Sequence, residues 1–289
     1  MKNKTILLLA SVAGLVACGN GAAFDSSKSI TVITREDGSG TKSAFMEILG
    51  LKGKADVENA VIQTGTAAVM QEVSTNPYAI AFDSLGYVTD EVKKLNVDGV
   101  EPTIANIKSG SYTISRPLNV IYKEDTIKNS SVFSAYLDFL KSSDAQTIIS
   151  DEGYVSVQDS ATAYTKNDSL SGTIEIAGST SLKPLMEKLA EKFETYQPSV
   201  KVNVAGGGSG TGYTNGENGT SNFGMISEVF NSSKAASCTY YTVAKDGIAV
   251  IVNKKNPLTT ISKTDLSNVY NSEKTGDEHI TKWSQLIAE

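Results

Sequence analysis

The sequence predicts an α/β fold with material for two lobes. Short apolar strands alternate with helix-period segments along nearly the whole chain, the mark of sheets covered by helices on both faces. Three of those strands run straight into turns of glycine, serine and threonine. Beyond an N-terminal leader about 270 residues remain, enough for two cores of ordinary size.

The leader is read at residues 1–17. Lys2 and Lys4 form a positive start, and residues 6–13 form an apolar core too short to span a bilayer. Leu15-Val16-Ala17-Cys18 resembles a bacterial lipobox, which implies cleavage before Cys18 and lipid on its sulfur. Residues 18–28 then read as a small, polar tether, and 156–172 as an internal linker of the same character.

Between these, helices are expected at 43–49, 66–74, 134–142, 145–150, 184–196 and 263–270. The clearest is 184–196, where Leu185, Leu189 and Phe193 recur every four residues. Met186 and Ala190 widen that stripe, and Pro184 suits a first turn. Strands are expected at 30–35, 79–82, 118–122, 173–177, 201–205, 223–226 and 248–252. After Gly206–Gly212 the polar run Tyr213-Thr214-Asn215-Gly216-Glu217-Asn218-Gly219 predicts only a short or weak helix.

The three turns carry the chemistry. Strand 30–35 leads to Asp37-Gly38-Ser39-Gly40-Thr41, strand 173–177 to Gly178-Ser179-Thr180-Ser181, and strand 201–205 to a glycine-rich run containing Ser209. A strand, a small-residue turn and a helix start gather unpaired N–H groups and a positive dipole end at one spot. In α/β sheets ligands sit at such strand ends. With Arg35 four residues before Ser39, the set suits a tetrahedral oxyanion held mostly by neutral donors.

Composition limits the alternatives. The formal charge is −6, becoming −8 when Lys2 and Lys4 leave, and basic runs are lacking, which argues against nucleic acid. After Cys18 only Cys238 remains, so no internal disulfide is available. The single histidine, His279, lies in a charged stretch with no serine elbow to serve, and no residue spacing suits a metal. No enzyme and no cofactor are expected.

Residues 173–197, the following VNVAGGGSGTG, and KDGIAVIVNKKNP with TKWSQL resemble the first half of the phosphate-binding lipoproteins of phosphate ABC importers. Residues 30–45, 63–88 and 98–123 resemble the second half. The halves stand in swapped order, so the chain is similar to a circular permutant of that family. The resemblance implies a type II periplasmic-binding-protein-like fold: two α/β lobes, each with its sheet, joined by a hinge of two crossing strands. It places residues 28–89 with 248–289 in a discontinuous lobe and 90–247 in a continuous one. Lys28 and Glu289 should then lie close together on one lobe.

What the resemblance implies for function is capture of inorganic phosphate and delivery to the permease subunits of an importer. The protein would be a monomer, lipid-anchored at the extracytoplasmic face of the cell membrane. Arg35, Ser39, Gly40, Thr41, Thr180, Ser181 and Ser209 would bind the anion, with the Leu182 N–H and Ser227 as further donors. Asp37 would pair with Arg35 or serve only its turn. A buried carboxylate that accepts the ligand's proton would favour phosphate over sulfate, with Asp246 or Glu228 as candidates. Two other readings stay open on the same fold: a surface adhesin or signalling lipoprotein, and a receptor for another oxyanion such as sulfate.

Overall fold

The computed structural model describes residues 23–287; the leader, Cys18 and the two final positions lie outside the described residues. The chain opens with β1 (Thr31–Arg35), α1 (Gly40–Ile48), β2 (Val61–Gln63), α2 (Thr66–Thr75) and β3 (Ala79–Ser84). Next come β4 (Val92–Lys94), β5 (Asn96–Val97), α3 (Ile104–Ser109), β6 (Ser115–Tyr122) and α4 (Glu124–Lys128). α5 (Ser131–Lys141), α6 (Ser143–Asp151), β7 (Gly172–Gly178), α7 (Lys183–Tyr196), β8 (Val200–Ala205) and α8 (Gly208–Asn218) follow. The chain ends with β9 (Phe223–Ile226), β10 (Thr239–Asn253), β11 (Thr260–Ile261) and α9 (Lys263–Tyr270).

The strands run in the order β2-β1-β3-β10-β6-β9-β7-β8, with β4 also on β10 and a small β11-β5 pair apart. β10 crosses between the two halves and joins their sheets edge to edge into one mixed sheet. Residues 248–252 pair with β3, while residues 239–247 pair with β6. Only 248–252 was expected as strand; the polar first half of β10 hid its continuation. Two connections cross between the halves, at 114–115 and at 247–248, where the Ile248 N–H donates to the Ile114 carbonyl at 2.8 Å.

Each half has its own core. Ile30, Val32, Phe45, Phe82, Val250, Leu266 and Trp283 fill one, and Phe45 stacks on Phe82 with ring centroids 4.0 Å apart. Leu118, Phe139, Ile174, Leu185, Leu189, Phe193 and Phe223 fill the other. The stripe Leu185, Met186, Leu189, Ala190 and Phe193 is the buried face of α7, as its spacing predicts.

The division between lobes falls at 114–115, not near 90. β4 pairs with residues 251–253, β5 pairs with β11, and Leu95, Val97, Ile107, Tyr112 and Ile114 are buried beside Ile30 and Trp283. The tether is also shorter than expected. Phe24 packs on Tyr78 and Trp283, and the Trp283 N–H donates to the Lys28 carbonyl. Ser29 bridges Lys282, so the two described ends meet on one lobe. Of the linker region, 156–171 has no regular structure and Gly172 already begins β7; the stretch is pinned, because Tyr164 packs against Phe139 and Phe193 and Leu170 is buried.

α8 departs most from the sequence expectation, with eleven residues where a short or weak helix was predicted. Packing overrides propensity here. Its glycines let its backbone lie against β9: a Cβ on Gly212 would stand 2.1 Å from the Met225 carbonyl oxygen, and one on Gly224 would stand 2.1 Å from the Gly212 carbonyl oxygen. Gly212→Ala is therefore expected to destabilise the fold by about 3 kcal/mol. Urea unfolding should show this as a lower midpoint at unchanged slope. No helix among the described residues is long and apolar enough to cross a membrane.

Candidate functional site

All three predicted turns arrive at one place between the lobes. Arg35, Ser39, Gly40 and Thr41 come from the end of β1 and the start of α1; Ser179, Thr180 and Ser181 come from the turn after β7. Gly208 and Ser209 open α8, and Ser227 follows β9. Together they line one narrow, tightly closed cleft between the lobes.

Hydrogen bonds cross between the lobes at this point. Arg35 Nη2 donates to Thr180 Oγ1 at 3.1 Å, the Thr41 and Ser181 hydroxyls meet at 2.9 Å, and the Gly210 N–H donates to the Gly38 carbonyl at 2.9 Å. Thr66, the first residue of α2, lies 3.3 Å from Thr180 Oγ1 and 3.5 Å from Ser181 Oγ. Its signal was present in the sequence: Gln63-Thr64-Gly65-Thr66 is a fourth strand-to-helix turn of the same composition.

Arg35 is the charged member of this lining and is 1 % exposed. Its orienting partner is Glu36, not Asp37. Glu36 takes Nε at 2.8 Å and Nη2 at 2.9 Å in a two-pronged grip, and also accepts the Gly65 N–H. Burial pushes the Glu36 carboxyl up, but hydrogen bonds and charge from Arg35 outweigh it and hold it below the ordinary glutamate range. Asp37 points to solvent and pairs with Lys42 at 3.0 Å. Two prongs of the guanidinium are thus occupied, while Nη1 is buried without a hydrogen-bond partner among the described residues.

Several other expected donors are committed elsewhere. Ser39 caps α1 by accepting the Lys42 N–H, and the Leu182 N–H donates to Ser179 Oγ at 3.2 Å. Leu182 itself is core. Ser209 Oγ accepts the Ser227 N–H at 3.0 Å and touches its hydroxyl at 3.3 Å.

Neither candidate carboxylate lines the cavity. Asp246 sits opposite Arg116 in the β10–β6 ladder, bonded to that guanidinium at 3.1 Å and to the Ser84 hydroxyl at 2.8 Å. Glu228 turns to Lys234 at 2.9 Å and lines a different groove with Asp37 and Lys42. Arg116 carries an indirect role, since its Nη1 donates to the Ser227 carbonyl and ties the hinge to the end of β9. Among the described residues no cluster of His, Cys, Asp and Glu is arranged to hold a metal ion.

The family model of a PBP superfamily domain matches residues 23–144 and 160–289. The chain is 36% identical over 300 residues to the phosphate-binding protein PstS 2 of Streptococcus pneumoniae, covering 99% of this chain and 100% of that one. It is 33% identical over 134 residues to the phosphate-binding protein PstS of Bacillus subtilis, covering 45% of this chain and 42% of that one. A crystal structure of a phosphate ABC transporter, phosphate-binding protein from Streptococcus pneumoniae superposes with a TM-score of 0.71 at 34% identity, over 90% of this chain and 100% of that one. With its two cores, crossing hinge and converging turns, the chain belongs to the PBP superfamily, among the relatives of the PstS phosphate-binding proteins.

Proposed function

We propose that the protein captures inorganic phosphate between its lobes and delivers it to the permease subunits of an ABC importer. The observation that carries this is the buried, unpartnered Nη1 of Arg35, set among hydroxyls and helix starts from both lobes. A guanidinium already gripped by Glu36 offers its remaining edge in fixed orientation, which matches a phosphate edge. Lobe closure expels water and strengthens each neutral donor in the dry interior. Selection against sulfate needs a proton acceptor near the anion, a task to which neither Asp246 nor Glu228 is placed.

The rest of the reading follows the leader. Cleavage before Cys18 and lipid on its sulfur would tether a monomer at the extracytoplasmic face. The permuted order is part of the same proposal: it is supported by ends that meet on one lobe and by a half-length match to the Bacillus subtilis protein. The full-length match to the Streptococcus pneumoniae protein favours an order that the two chains share.

Isothermal titration with phosphate and with sulfate tests the function. Tight phosphate binding is the expected result. Binding of sulfate in preference would change the anion, and heat from neither would favour the adhesin.

A further inference from the structure

Asp83 is a buried acid outside the lining of the anion site. It is the last residue but one of the fully buried strand β3 and is 0 % exposed. The parallel register sets Thr31 beside Ala79 and Val32 beside Ile80, so Asp83 stands level with Arg35 on the neighbouring strand. Alternation puts both on the sheet face that carries Ile33, Ala79, Ala81 and, across β10, Ala249. Asp83 Oδ1 accepts the Ser84 N–H at 2.8 Å, while Oδ2 is buried without a hydrogen-bond partner among the described residues.

The charges around it are already matched. Arg35 on β1 is held by Glu36, and Arg116 on β6 is held by Asp246 on β10. Helix α2 covers this face with Thr66, Val69, Met70 and Val73, none of them ionisable. Burial pushes the Asp83 carboxyl up to about 7, with the Arg35 charge the largest opposing influence. An oxyanion set against Arg35 adds negative charge beside a carboxylate that has no salt-bridge partner among the described residues. Protonation is the response that costs least.

We propose that Asp83 couples anion capture to a proton, taking up one H⁺ at Oδ2 as the oxyanion settles against Arg35. The inference rests on the phosphate reading of the site. The proton comes from solvent or from the dihydrogen form of the phosphate; one O–H bond forms and nothing is oxidised or reduced. Capture is then favoured in acidic surroundings, and affinity falls by up to tenfold per pH unit above about 7.

The test compares wild type with Asp83→Asn, an isostere of the protonated form. Phosphate titrations from about pH 6 to pH 9, in buffers of different ionisation heat, should show two changes. The wild-type Kd should rise relative to the variant by up to tenfold per pH unit above about 7, and the variant should take up fewer protons. A constant Kd ratio with equal proton uptake overturns the inference and leaves the phosphate reading standing.

Ligand-free unfolding separates the two failures. A carboxyl whose folded pKa is raised stabilises fully below its unfolded pKa and loses that contribution as pH rises through the folded value. Wild type should therefore lose stability against Asp83→Asn between about pH 4 and pH 7 and level off above. A pH-independent difference overturns the proposal whether or not phosphate binds; absence of phosphate binding by wild type defeats the functional reading instead. Should Asp83→Asn not fold, infrared difference spectra on wild type decide. A protonated-carboxyl band that grows with phosphate and persists in Asp246→Asn and Glu228→Gln supports Asp83, and its absence in wild type overturns it.

Discussion

Arg35→Ala is expected to weaken phosphate binding by about 3–5 kcal/mol, more than a hundredfold in Kd. Arg35 supplies the full positive charge of the cavity lining; the other lining groups are hydroxyls and backbone. Its removal also strands Glu36, which keeps the Gly65 N–H but loses the guanidinium that holds its charge in a half-buried position. The variant thus places an uncompensated carboxylate where an anion must bind, and repulsion adds to the lost attraction. Arg35→Lys discriminates between charge and shape. A single ammonium cannot serve Glu36 through two nitrogens while keeping a third direction for the ligand, so most of the loss should remain. Titration calorimetry reads the affinity, and circular dichroism confirms that both lobes are folded. A loss below about 0.5 kcal/mol in Arg35→Ala would place the guanidinium outside the binding site.

How much of this was legible in the sequence depends on what each residue has to contact. Turn composition is local, so the strand-to-helix turns at Ser39, Thr180 and Ser209 could be read directly, and all three reach one cavity. The α7 stripe was equally clear, because the period of a helix is written in its own residues. α8 was underestimated because its glycines are chosen for a strand 12 or 13 residues away in sequence, against which the backbone packs. The partner of Arg35 was misassigned for a related reason. Glu36 and Asp37 differ by one position, and which of them faces inward depends on how the chain turns between β1 and α1. Asp246 looked like a ligand carboxylate because nothing in its neighbourhood announces Arg116, 130 positions earlier yet directly opposite in the ladder. Asp83 carried a signal that went unused: an acid near the end of a fully buried strand.

Gly40→Ala is expected to impair ligand capture without weakening either lobe. Gly40 is the first residue of α1, where alanine suits the backbone and favours the helix. Taken within its own lobe the substitution should be neutral or slightly stabilising. Across the cleft it is not, for a Cβ there would stand 2.2 Å from Ser209 Oγ, 2.7 Å from Ser227 Oγ and 3.0 Å from Ser209 Cβ. Ser209 cannot simply rotate away, because its Oγ accepts the Ser227 N–H and so fixes the third turn to the end of β9. The lobes must therefore stop short of the approach that joins Thr41 to Ser181 and Arg35 to Thr180. Overpacking of this kind costs about 1–3 kcal/mol, which predicts a phosphate Kd weakened by roughly ten- to a hundredfold. The unfolding midpoint of ligand-free protein should stay at or above wild type, which sets this variant apart from Gly212→Ala, where the clash lies within one lobe. Adding Ser209→Ala removes the nearest obstacle, so the double variant should bind better than the two single effects combined predict. Wild-type affinity in Gly40→Ala would mean that capture does not require the two lobes to meet at Gly40 and Ser209.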